Sequence, residues 1–138
     1  MLVLLLLCAC GCGHEPIVGP ENFETTPLTG QVRLLGRPIG KGWIELSPID
    51  GTTGHLRAGR LNPDGSFVID RAPVGRVAAR LVGTGRLISG DPTLDGLIER
   101  YRQVSLIRID VDRSRREPVV LDLETELTRA LREAGGGG

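Results

Sequence analysis

The part of the chain that reads as a folded domain holds few residues with reactive chemistry, and their spacing decides what they can do. His55 lies in a glycine-rich loop at 50–59, with Ser47, Asp50 and Thr52 close by in sequence. An imidazole beside a hydroxyl and a carboxylate is the raw material of acid–base or nucleophilic catalysis. Such a set works only when its members are held rigidly, and a glycine loop holds them loosely, so the expectation is a domain without catalytic residues. Asp64 sits in a Pro-Asp-Gly stretch. Calcium loops space their oxygen ligands along about twelve residues. The acids here do not follow that spacing, and Asp64 reads as a turn former. Asp91 and Asp95 invite a metal reading too, but turn or helix capping explains them without one. No cofactor and no metal is therefore expected. Trp43 has the chemistry to stack on a sugar ring, yet a single tryptophan in an alternating strand is expected in the core. Arg113, Arg115 and Arg116 form a basic tip that acidic polymer could touch. With Asp110, Asp112 and Glu117 alongside, the tip reads as a solvated turn.

The remaining reactive groups are the cysteines, and all three crowd the front of the chain at Cys8, Cys10 and Cys12. Alternate C-x-C-x-C spacing does not match structural zinc sites, and no second ligand cluster completes one. His14 follows in a polar stretch and is expected to be solvated. Residues 2–7 are an unbroken aliphatic run. That run is too short to span a bilayer, which takes roughly 20 apolar residues, and it suits the core of a secretory leader. Leu7, Cys8, Ala9 and Cys10 resemble the cleavage motif of a lipoprotein signal peptide, with an aliphatic residue three before, and a small one immediately before, the cysteine that becomes lipidated. Cys12 is the alternative, with Gly11 before it but only Ala9 at the aliphatic position, while Leu7 disqualifies Cys8. The chain departs from the lipoprotein pattern in one respect: the usual positive n-region is missing, the first basic residue being Arg33, a gap that a start codon upstream of Met1 would account for. Acyl chains contribute about 0.8 kcal/mol per buried methylene, and several on one cysteine would make the attachment permanent.

Seventeen Lys plus Arg balance seventeen Asp plus Glu, so no net field draws the chain toward nucleic acid, anionic headgroups or polyanions. Lys41 is the one lysine among those bases, a bias that codon usage in a GC-rich genome explains. At 138 residues the chain holds one domain. Its 20 glycines, 9 prolines and few aromatics favour short aliphatic strands between turns.

The elements that would position these groups are read from alternation and turn formers. Residues 1–9 are expected as leader, 10–29 as a flexible tether, 30–123 as a β-domain and 124–138 as a tail. Strands are expected at 31–35, 43–46, 56–61, 66–69, 76–82, 105–111 and 119–123, the third and fourth joined as a hairpin through the turn at 62–65. The long connection 83–104 offers a helical turn at 97–101. Residues 125–134 suit a short helix with Leu127 and Leu131 on one face. Seven strands in this length suggest a single antiparallel β-sandwich of Greek-key type.

The motifs GQVRLLGRPIGKG at 30–42, NPDGSF at 62–67 and PVGRV at 73–77 resemble, in order and spacing, the carboxypeptidase-regulatory-like domain, a transthyretin-like β-sandwich. Residues 98–111, IERYRQVSLIRIDV, are similar to a segment near the end of small planctomycete-type bacterial lipoproteins. The chain departs from those patterns at Glu99, where proline is usual, and at Val77, where an aromatic is frequent. The resemblance implies a transthyretin/immunoglobulin-like fold and a non-catalytic role. The expectation is a lipid-anchored structural or protein-interaction module of the cell envelope, on the periplasmic or outer side of a membrane. Its expected partners are the membrane through covalent lipid, and envelope proteins or glycans. The alternatives are a carbohydrate- or envelope-polymer-binding module and, behind it, a hydrolase centred on His55.

Overall fold

The computed structural model describes residues 23–105 and 107–136, and the expectations for Cys8, Cys10, Cys12 and His14 lie outside them. The described chain forms eight strands in two four-stranded sheets, with two helices. The strands are β1 (Thr25–Leu34), β2 (Arg37–Pro38), β3 (Trp43–Pro48), β4 (Arg57–Arg60), β5 (Ser66–Pro73), β6 (Gly75–Val82), β7 (Ile107–Val111) and β8 (Val119–Asp122). Helix α1 (Pro92–Gln103) lies between β6 and β7, and α2 (Leu123–Gly135) follows β8.

The first sheet is built around β1. On one edge it pairs antiparallel with β5 and then β2, and on the other it pairs with β8, so Gln31 faces Ser66 on one side and Val120 on the other. The second sheet runs β4-β3-β6-β7, antiparallel throughout. Period-two alternation explains the layering: Leu28, Val32 and Leu34 of β1 and Ile44 and Leu46 of β3 turn inward to one core, with polar residues between them facing out. Phe67 fills the middle, and Gly30 leaves room for it, because a Cβ there would fall 2.5 Å from the Phe67 ring and from the Val119 carbonyl. Leu94, Ile98 and Tyr101 of α1 and Leu123 and Leu127 of α2 belong to the same core.

Three expectations are corrected. First, not every pairing is antiparallel, since β8 lies parallel to β1. The two strands are joined through the whole second sheet, and that distance lets β8 enter from the same end as β1. Second, β4 and β5 are not a hairpin: β4 pairs with β3 in one sheet and β5 with β1 in the other. The turn between them still forms as expected, with Gly65 N–H donating to Asn62 O at 2.8 Å and Gly65 at φ +80°, but it carries the chain across from sheet to sheet. Third, the long connection carries a 12-residue helix in place of a single helical turn. In addition β1 opens at Thr25, so the last five residues of the segment read as tether are strand.

The strands give the molecule two poles. At one, Val74 N–H donates to Glu24 O at 3.0 Å and Ile49 N–H to Arg76 O at 3.1 Å, so the start of β1 gathers with the 49–56, 73–75 and 112–118 loops. The other pole collects the β1–β2 turn, the 39–42 link into β3, the 61–65 turn and the connection 83–91, tied by Leu61 N–H donating to Gly42 O at 2.9 Å.

Candidate functional site

The second pole carries the surface best equipped for recognition. A cleft of about 340 Å3 opens there between the β1–β2–β3 link and the segment 84–89, and its lining includes Arg37, Lys41 and Arg86 but no carboxylate. Leu35 and Ile88 stand exposed at its walls. The nearby acids, Glu124 and Asp95, are held behind the cleft by donors on two of its own lining residues, Leu35 and Ser89. Glu124 accepts from Leu35 N–H at 3.0 Å, and Asp95 accepts from both N–H and Oγ of Ser89 at 2.7 Å. Those Ser89 hydrogen bonds, with smaller help from Gly90 N–H and the Arg86 charge, hold the Asp95 carboxyl below its ordinary value. A second depression of about 310 Å3 lies across Gly83–Gly85, lined by Arg80, Val82 and Arg102, and Thr84 borders both. Arg102 donates to Gly85 O, and Arg80 sits 3.6 Å from Glu45.

Trp43 stands beside this second depression, and the expectation of a core tryptophan is corrected: it is 48% exposed. Ile44 and Leu46 take the inward positions of β3, so Trp43 must share the outward face with Glu45. Its cross-strand neighbours are Arg60 on β4 and Val82 on β6. The indole therefore presents a ring to solvent between a cation and an aliphatic side chain.

The other candidates are structural or lie apart. Around His55, Thr52 Oγ1 accepts from Arg76 N–H at 2.8 Å and Asp50 lies 3.6 Å from the Arg76 guanidinium, while the His55 ring meets Phe23 edge-on with centroids 5.1 Å apart. Ser47 is half-buried on β3. Asp64 accepts from Ser66 N–H at 2.9 Å and Ser66 Oγ at 2.6 Å, which closes the turn and lowers its pKa. Asp91 is the N-cap of α1, accepting from Thr93 N–H at 2.9 Å. Asp110 pairs with Arg76 at 3.1 Å, and Arg113 of the basic tip with Glu24 at 2.7 Å. Asp112 accepts from Ser114 N–H at 2.8 Å, the main reason its carboxyl is held low. Arg113 thus belongs to the first pole, away from Trp43.

Sequence reasoning missed the cluster of Arg37, Lys41 and Arg86 because Arg86 lies far along the chain from the other two. The available signal was that two of the three lie in the short stretch 36–41. Chemically, guanidinium forks suit carboxylates and an exposed indole suits the C–H face of a sugar. Asp95, which lies behind Ser89 of the cleft wall, is a weak base, because those hydrogen bonds stabilise its ionised carboxylate. The arrangement is one for binding. No family model matches the chain, and no curated protein or solved structure matches it.

Proposed function

We propose that this chain is a lipid-anchored, non-catalytic module of the cell envelope, held on the periplasmic or outer side of a membrane and acting through its surface. The observation that carries this reading is the spacing Leu7, Cys8, Ala9, Cys10 behind a short aliphatic run, with no cysteine after Cys12. Cys10 is the acylated residue, with Cys12 the alternative. Residues 1–9 are the leader, and a tether leads into the β-domain. That domain is a Greek-key sandwich of the transthyretin-like, carboxypeptidase-regulatory-like kind. The engagement of Thr52 and Asp50 with Arg76 supports the non-catalytic reading. The test is mass spectrometry of the mature N-terminus from membranes. A diacylglyceryl thioether on Cys10, lost in Cys10→Ser, is expected; an unmodified Met1 form in the soluble fraction would refute the anchor.

A second reading, binding of a glycan or envelope polymer, is favoured by one observation: the only tryptophan of the chain faces solvent on a sheet. Retention of the protein on immobilised polysaccharides tests it.

A further inference from the structure

Net neutrality of the chain conceals a local excess of positive charge at the pole opposite the start of β1. Arg37, Lys41 and Arg86 converge on one cleft with no carboxylate in its lining. Among the described residues none of these three cations has a carboxylate oxygen within 4 Å; Arg86 acts on Asp95 through its charge alone, as the smallest contribution to that carboxyl's lowered pKa. Across Gly83–Gly85 the second depression adds Arg102 and leads toward Trp43, which Arg60 and Val82 flank. A ligand that satisfied only the cleft would leave the indole unused, and one that satisfied only the indole would leave the cations unused. An extended chain with a ring face and a negative charge in each unit meets both.

The geometry points to an acidic polysaccharide, carrying carboxylates on its sugar rings, as the occupant of this pole: Arg37, Lys41 and Arg86 take the carboxylates and Trp43 stacks on a neighbouring ring. This rests on the polymer-binding reading above and narrows it to one class of polymer. Nucleic acid meets the charge requirement, and the balanced total charge weighs equally against both polyanions. It is disfavoured because single strands stack successive bases on several aromatic side chains, whereas Phe67 and Tyr101 are buried and Trp43 stands exposed without a second ring beside it among the described residues at this pole. Charge complementarity makes the interaction salt-dependent, because exposed ion pairs are screened within about 10 Å at 0.1 M salt.

The chain has one tryptophan, so its fluorescence reports this surface alone. Detergent-solubilised full-length protein is titrated with oligogalacturonate, with dextran as a neutral polymer and polyglutamate as an acidic polymer without sugar rings. Oligogalacturonate is expected to shift Trp43 emission and to protect Lys41 from an amine-reactive reagent. Binding should weaken about tenfold on raising salt to ~0.5 M. The double variant Lys41→Gln, Arg86→Gln and the single variant Trp43→Ala, read by retention on immobilised polymer, should each bind about tenfold more weakly, consistent with loss of ion pairs or of ring stacking. These positions are exposed, so unchanged circular dichroism is expected to show that the variants fold. Equal binding of dextran without salt dependence would overturn the acidic assignment while leaving polymer binding standing. Equal binding of polyglutamate, with Trp43 emission unchanged, would overturn the role of the indole. Failure to retain any polysaccharide would remove both this inference and the reading beneath it.

Discussion

Tyr101 shows how one polar atom is accommodated in an aliphatic core. Its ring is buried, and its hydroxyl donates to Ala79 O at 2.7 Å, a carbonyl that Ser105 Oγ also reaches at 2.9 Å. Burial pushes the phenol well above its ordinary value of 10.0, against smaller opposing pulls from the Leu81 backbone and the Arg80 charge. The sign follows from linkage. An acid whose folded pKa is raised favours the neutral form, so its contribution is complete below pH 10.0 and is lost as pH climbs toward the higher folded value. Tyr101→Phe should therefore cost about 1 kcal/mol at neutral pH, since Ser105 still satisfies the carbonyl. It should also flatten the alkaline decline of stability seen in the wild type. Urea unfolding between pH 7 and 11 measures both effects. The chain has one tyrosine, so phenolate absorbance tracks the same ionisation directly. An unshifted titration midpoint near pH 10 would count against the buried geometry.

At the scale of elements, α2 belongs to the core and is not an appendage. Leu123 and Leu127 are fully buried one turn apart, whereas Leu131, expected on the same face, is 47% exposed. The helix is seated by its start: Asp122 is the N-cap by position, but its carboxylate grips Arg33 at 2.8 and 3.1 Å, tying the end of β8 to β1. That hydrogen-bonded pairing raises the Arg33 pKa. Leu127→Ala should cost about 2–5 kcal/mol and Leu131→Ala under about 0.5, a contrast that thermal unfolding resolves. Equal losses would show that α2 does not pack as described. The strands inherit their legibility from alternation, which depends only on neighbours in sequence, and the outward phase of Trp43 was readable from Ile44 and Leu46 beside it. Helix α1 was underread because Gly96 and Thr93 weaken its propensity, although Asp91-Pro92 is a sound start signal and Leu94, Ile98 and Tyr101 keep helical spacing. The parallel placement of β8 and the crossing of chain from β4 to β5 were not readable. Both are settled by packing between segments distant in sequence. The cluster of Arg37, Lys41 and Arg86 was hidden for the same reason.

For the whole molecule, the decisive feature is that the chain enters one pole and offers its basic, aromatic surface at the other. Strand β1 runs the full distance with 10 residues, about 30 Å at the usual rise per residue. If Cys10 is the anchor, the 49–56 loop stays near the bilayer on average and the cleft is held away from it, where an extended polymer has access. Lys41 is the chain's one lysine and lies in that cleft, so an amine-reactive fluorophore marks the outer pole without further engineering. A second protein, carrying Lys41→Arg and Thr53→Lys, moves the mark to the inner pole, and Lys41→Arg alone gives the background from the α-amine. In vesicles bearing nitroxide on the lipid headgroups, the label at Lys41 should be quenched weakly and the label at position 53 strongly. Equal quenching at the two positions would mean that the domain lies across the surface, and the cleft would then face lipid as readily as solvent.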